Sequence, residues 1–386
     1  MSIKQIINFK NIINEIKKNG NEAIFSKKNY PSGDFRVAIY SENQKVITWS
    51  KKYFENYFSN EIVSPEYKIY CSNDLGVYNH CISLSQDYKN KEIDFLYFNE
   101  FYYISYLFND YNGSISFYLV NTLDKEILIV SNVDNNDYYI APMRAIRAIY
   151  LLKIAEIGFF LHAGSFNYNN YGSIIIGERF SGKTTCILNS LSYKECGFIS
   201  NDKIFIYRSE NSYKILGLPI SIGIRIGAIT NVERIHDVLM SDIFNFDSDI
   251  TLEDISKTSG TLCRSDKKIT MSPNELCNAF QCRWDQDCYV KVFFYPVYDK
   301  HAETAVCFEV TDHDKKHKYL QEQYIDYITP EQVIFEPVLN IDKSKMSHNF
   351  NCFCNDSFDS YPFYTIYNNK NTMSESYKII KSMLTE

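Results

Sequence analysis

Residues 177–184 read Gly177-Glu178-Arg179-Phe180-Ser181-Gly182-Lys183-Thr184, two glycines five positions apart with Lys-Thr directly behind the second. The β-branched run Ser173-Ile174-Ile175-Ile176 leads into this stretch and has the character of a short buried strand. Behind it, Thr184-Thr185-Cys186-Ile187-Leu188-Asn189-Ser190-Leu191 puts Ile187, Leu188 and Leu191 on one helical face. The order strand, tight loop, helix is therefore dictated locally. Glycine lets successive backbone N–H groups curl around an anion, and the helix start adds its own unpaired amides. The spacing is that of the G-x-x-x-x-G-K-[ST] phosphate loop. It assigns Gly177, Ser181, Gly182, Lys183, Thr184 and Thr185 to ATP, with the Lys183 ammonium on the β- and γ-oxygens and the Thr184 hydroxyl on Mg²⁺.

At 386 residues the chain has room for two or three domains. Residues 1–140 hold an N-terminal amphipathic helix to about Lys18, then alternating stretches such as 35–40, 45–49, 114–120 and 126–130. They read as a β-rich accessory domain for substrate recognition. Pro142 is expected to open a helix over 143–157. Residues 141–335 form the expected catalytic core, with strands around 159–166, 173–176, 197–207, 213–226 and 290–296 and a helix start at Ser272-Pro273. Residues 227–280 mix polar loop with helix. Residues 336–386, Asn/Ser-rich between Asn340 and Asn371 and ending in a helix near 374–383, read as a C-terminal extension. The class is α/β, α+β overall.

The net charge of −7 offers no basic field for nucleic acid or an anionic membrane. No apolar run reaches membrane-spanning length, and the N-terminus lacks a signal-peptide pattern. Eleven scattered cysteines point to reduced thiols and a cytoplasmic protein. Cys277, Cys282 and Cys288 come nearest to metal spacing, as do Cys352 and Cys354, but buried structural thiols are the better reading. Nothing in the sequence excludes a homo-oligomer.

A phosphate loop does not name the acceptor. Phosphoryl transfer needs a second metal anchor, charge-neutralising cations and a group that orients or deprotonates the acceptor. Asp202, in the polar break Asn201-Asp202-Lys203 between two apolar runs, lies eighteen residues after Thr184 and suits the metal, although Asn-Asp is also ordinary turn chemistry. His162 sits in an apolar run ahead of the loop, a place for either a core histidine or a catalytic one. Arg225, inside Ile222-Gly223-Ile224-Arg225-Ile226-Gly227, needs an anionic partner, which a phosphate or an internal carboxylate would supply. Arg264, Lys267 and Lys268 read as a solvated basic cluster. Glu178, Arg179 and Phe180 occupy the variable loop positions.

Residues 143–235 resemble the HPr kinase/phosphorylase family and its HPr-kinase-like relatives, within the superfamily shared with phosphoenolpyruvate carboxykinase. The resemblance rests on Phe160-Leu161-His162-Ala163-Gly164, on the strand and loop at 173–185, and on Cys196 to Ile204, where the family has an Asp-Asp pair. Leu216 to Ser221 with Ile224 to Gly227 resembles the next strand pair. It implies an HPr-kinase-like P-loop core, His162 near the acceptor hydroxyl, and the loop of Asn201 and Asp202 facing the γ-phosphate and Mg²⁺. The activity implied is ATP-dependent phosphorylation of a serine or threonine on a peptide or small protein; many relatives resemble enzymes that tailor ribosomally made peptides. Two positions depart from the family: Asn201 replaces the first acid of the pair, and Thr185 replaces the glutamate of the HPr-specific enzymes. An amide is no base at neutral pH, so Asp202 or His162 takes that task, or the chain binds nucleotide without efficient transfer. A small-molecule kinase on the same core is the third reading. The first 140 residues match nothing in the regulatory domain of the bifunctional enzymes, so reverse dephosphorylation and hexameric assembly are not implied.

Overall fold

The computed structural model describes residues 3–28, 33–61, 64–84, 95–109, 114–132, 136–229, 267–326, 329–369 and 372–385. The architecture is mixed α/β. Two compact units share the chain, Met1–Glu156 with Tyr327–Asp342 and Ile157–Asp326 with Lys343–Glu386.

The first unit is built on a seven-stranded sheet. Strands Phe35–Ser41, Tyr67–Ser72 and Glu126–Val130 run parallel, and Ser114–Asn121, Tyr102–Asn109 and Phe95–Tyr97 continue as an antiparallel meander. Glu126–Val130 is buried at every position, as a parallel strand covered on both faces should be. Residues 45–49, expected to be extended, lie instead in the helix Gln44–Phe54. Asn43 caps it by accepting from Lys45 N, and Val46, Ile47, Ser50, Tyr53 and Phe54 are buried at helical spacing. Five residues were too short a window to reveal that period.

Pro142 does not open its helix, which runs Asn136–Ala155 with the proline inside. Burial of Tyr138, Tyr139 and Ala141 ahead of it offsets the missing backbone bond. This helix belongs to the first unit, as does Pro330–Leu339, whose Ile334 carbonyl accepts from the buried Tyr103 hydroxyl. The contacts therefore divide the chain near 156/157, 326/327 and 342/343 and not at 140/141 and 335/336.

In the second unit an eleven-stranded sheet carries the 177–184 loop. Strand Tyr171–Ile175 pairs antiparallel with Gly164–Tyr168 and parallel with Asp287–Tyr298. Asn169 and Asn170, at φ 51° and 68°, make the two-residue turn of that hairpin. Helix Lys183–Leu191 buries Cys186, Ile187, Leu188 and Leu191 against Phe166, Ile175, Phe294 and Tyr377. The Asn/Ser-rich segment is integral to this unit. Its helix Ser344–Asp356 buries Met346, Phe350, Phe353 and Cys354, and its strand Phe363–Asn368 runs parallel to Asp287–Tyr298. Those apolar residues recur at helical spacing between polar ones, which composition alone conceals.

Candidate functional site

Ile176 N donates to Phe294 O at 2.9 Å, the last tie of the strand to the sheet before the loop leaves it. Gly177 then takes φ 142°, Phe180 φ 66° and Gly182 φ 101°. Within this curl Ser181 N donates to Glu178 O at 3.2 Å, and a Cβ at Gly177 would stand 3.0 Å from Ser181 Oγ. Gly182 is the N-cap of Lys183–Leu191 and supplies no side-chain cap, so the first-turn amides are left for another acceptor. Ser181 Oγ is buried and makes no hydrogen bond among the described residues. Lys183 Nζ donates to Gly177 O at 2.5 Å and Glu178 O at 3.0 Å, which holds the ammonium over the loop. Its burial, with the Arg225 charge, lowers the Lys183 pKa to about 8 against the pull of Asp202 and Glu178. Thr184 is half-buried and Thr185 buried.

The register of the sheet explains why His162 and Asp202 meet. Gly158–Leu161 pairs with Ile204–Ser209 and Gly164–Tyr168 pairs with Cys196–Ser200, so the breaks at 162–163 and 201–203 lie opposite one another. Ser200 Oγ closes the second break by donating to Lys203 O at 2.6 Å. Asp202 adopts φ 72° there and places Oδ1 3.0 Å from His162 Nε2. The His162 hydrogen bond, joined by the charges of His162, Lys183 and Arg225, holds the Asp202 carboxyl below the usual range. Both side chains remain open to solvent, whereas Asn201 is 6% exposed. Its amide oxygen lies 3.4 Å from where a Cβ on Gly164 would sit. A carboxylate at 201 would be desolvated, which an amide tolerates far better.

Arg225 ends the strand Ile222–Arg225, paired with Lys268–Met271. Its guanidinium carbon stands 5.1 Å from the centre of the Phe180 ring, and that of Arg179 stands 5.0 Å from the same ring. Burial and the neighbouring Arg179 lower the Arg225 pKa, and Asp202 opposes them. His162, Lys183, Asp202 and Arg225 thus share one electrostatic neighbourhood. Arg264 lies outside the described residues, and so does most of 227–280.

Two residues of this neighbourhood carry no sequence signature. Phe180 is a bulky residue in the left-handed region, and it forms the ring against which Arg225 rests. Gln323 is buried beside the loop, and its backbone oxygen accepts from His162 N at 2.7 Å. With its amide nitrogen turned to the available acceptors, Gln323 donates to His162 O at 3.1 Å and Gly177 O at 3.2 Å. One side chain thereby spans the histidine turn and the start of the loop. No local pattern marks a glutamine 140 residues downstream of the loop as its brace.

No family model and no curated protein matches the chain. Among solved structures, the chain is similar to the Hpr(Ser) kinase/phosphatase from Coxiella burnetii at 11% identity, over 50% of this chain and 97% of that one, with a TM-score of 0.20. That is a distant structural relation, and it carries no argument about the site.

Proposed function

We propose that this chain is an ATP- and Mg²⁺-dependent kinase that phosphorylates a serine or threonine hydroxyl of a peptide or small protein. The reading rests above all on the 177–184 loop, which carries uncapped first-turn amides, the desolvated Lys183 ammonium and a Ser181 hydroxyl that makes no hydrogen bond among the described residues. A polyphosphate accepts from the amides and pairs with the ammonium. ATP bound with Mg²⁺ supplies a transferable γ-phosphoryl group.

The residues then divide the work. The loop amides from Gly177 to Thr185 and Lys183 hold the β- and γ-oxygens, and Thr184 and Asp202 hold the cation. An ionised carboxylate only accepts hydrogen bonds, so Asp202 fixes the hydrogen of His162 on Nε2 and leaves Nδ1 as the acceptor of the neutral ring. Nδ1 takes the proton of the incoming hydroxyl. Arg225, steadied by Phe180, offsets charge on the transferring group. A largely dissociative transition state asks little of the base, which suits a site whose buried position 201 is an amide.

The test incubates the chain with γ-labelled ATP, Mg²⁺ and an array of serine- and threonine-bearing peptides. Label on a peptide hydroxyl that disappears with Lys183→Ala supports the kinase. Nucleotide binding without any transfer would support a second reading, a nucleotide-dependent binding protein, for which the buried Asn201 is the observation. Label on a small metabolite instead would make it a small-molecule kinase.

A further inference from the structure

We propose that His313, His317 and Asp359 form a binding site for a divalent transition-metal ion, zinc before others. Helix His313–Gln321 starts at Asp312, whose side chain accepts from Lys315 N. Spacing of four residues places both imidazoles on one face, where the rings stack with centroids 4.1 Å apart. The turn Phe358–Ser360 brings Asp359 across both of them. Oδ2 lies 2.9 Å from His313 Nε2 and Oδ1 lies 3.5 Å from His317 Nε2, and one donor atom from each residue falls within 4.8 Å of the other two. Ligand atoms about 2.0–2.2 Å from a tetrahedral zinc stand roughly 3.4 Å apart, so small side-chain shifts close the set.

The cluster is poorly satisfied without a cation. His317 Nε2 is buried and makes no hydrogen bond among the described residues. A divalent ion takes the lone pair of each Nε2 and the carboxylate together. Imidazole and carboxylate suit zinc, cobalt or nickel, whereas magnesium and calcium prefer oxygen alone. Asp314 lies 3.5 Å from His313 Nδ1, in the place of the carboxylate that orients a metal-bound imidazole. Phe358, fully buried and edge-on to His317, fixes the turn that carries Asp359. The side chains of His313 and Asp359 are 62% and 50% exposed, which leaves the ion a route from solvent. The site shares no residue with the phosphate loop, and its ion would clip the helix that leads into Gln323.

The experiment treats the chelator-stripped full chain with Zn²⁺ alone, without nucleotide or Mg²⁺, and follows it by calorimetry and thermal melting. One saturable equivalent and a raised midpoint are expected. Both disappear in His317→Ala and in Asp359→Asn, the latter an exposed change that keeps the fold, as circular dichroism verifies. Co²⁺ in place of zinc should give visible d–d absorption without a thiolate charge-transfer band. Absence of saturable zinc binding, zinc binding retained in Asp359→Asn, or a thiolate band placing the ion on cysteines each overturns the proposal.

Discussion

His162 Nε2 and Asp202 Oδ1 meet at 3.0 Å across forty residues of chain, each from a break between two paired strands. The pairing registers hold these breaks opposite one another, so the contact is a property of the sheet and not of two flexible side chains. Removal of either member should therefore act on chemistry more than on folding.

For His162→Ala, ATP turnover should fall by about 10²-fold, the lower end of the worth of a positioned acid or base because a dissociative transition state asks little of it, with MgATP affinity nearly unchanged. Asp202→Asn should lose turnover and, with Asp202 in its proposed role at the cation, also need more Mg²⁺ for half-maximal rate, since it removes the partner of His162 as well. Steady-state ADP release with acceptor peptide at several Mg²⁺ concentrations separates the two effects. A His162→Ala rate within about twofold of the unsubstituted chain would remove the imidazole from the reaction.

Nucleotide affinity should depend on the protonation of Lys183, whose pKa is lowered to about 8. A triphosphate needs the ammonium, so binding is at full strength below that pH and weakens as pH rises through it, by up to about tenfold per pH unit. Folding has the opposite slope. The unfolded lysine titrates near its ordinary value of 10.5, so above about 8 the unfolded chain binds more protons and this group favours the native state increasingly with pH. Calorimetric titration with MgATP at about pH 7 and about pH 9 measures the first effect, and Lys183→Arg should flatten it. Equal affinities at the two pH values in the unsubstituted chain would mean that the ammonium does not contact the phosphates.

Phe180→Ala should cost turnover roughly two- to fivefold, the worth of an exposed cation–π contact that positions Arg225. Arg225→Ala should cost more, because it removes the charge itself. The diagnostic is their combination. Phe180→Ala made on top of Arg225→Ala should have little further effect on kcat, since the ring then has no Arg225 to steady. Additive losses would show that Phe180 acts on its own.

The strand, loop and helix around 177–184 were legible because glycine spacing and helical periodicity are local signals, and the structure places them as read. The capped helix at Ser272-Pro273 was legible for the same reason, and its Ser272–Glu275 capping box is present. What escaped were features set by distant packing. Helix Gln44–Phe54 hid behind β-branched residues, and the helix Asn136–Ala155 ran through its proline because buried tyrosines favoured continuation. Strand Phe363–Asn368 was masked by polar composition. At the site, Asp202 and His162 could be nominated by type and position, but their contact depends on the register of four strands. Gln323 and the Phe180–Arg225 contact depend on tertiary placement alone, and no window of sequence contains both partners.

Gln323→Leu supplies the sharpest test of that tertiary brace. The substitution keeps the side-chain bulk but removes a donor from His162 O and Gly177 O. His162 O then faces a buried apolar group, a loss of about 1–3 kcal/mol, which at this size lowers the thermal midpoint by roughly 2–4 °C per kcal/mol. Gly177 O keeps Lys183 Nζ as its donor, so nucleotide affinity should fall less than turnover, which needs the His162 turn in place. Melting curves with ADP release in the presence of acceptor peptide, measured on the same preparation, read both effects. Unchanged stability and turnover would mean that the backbone bond from His162 N to Gln323 O holds the turn unaided.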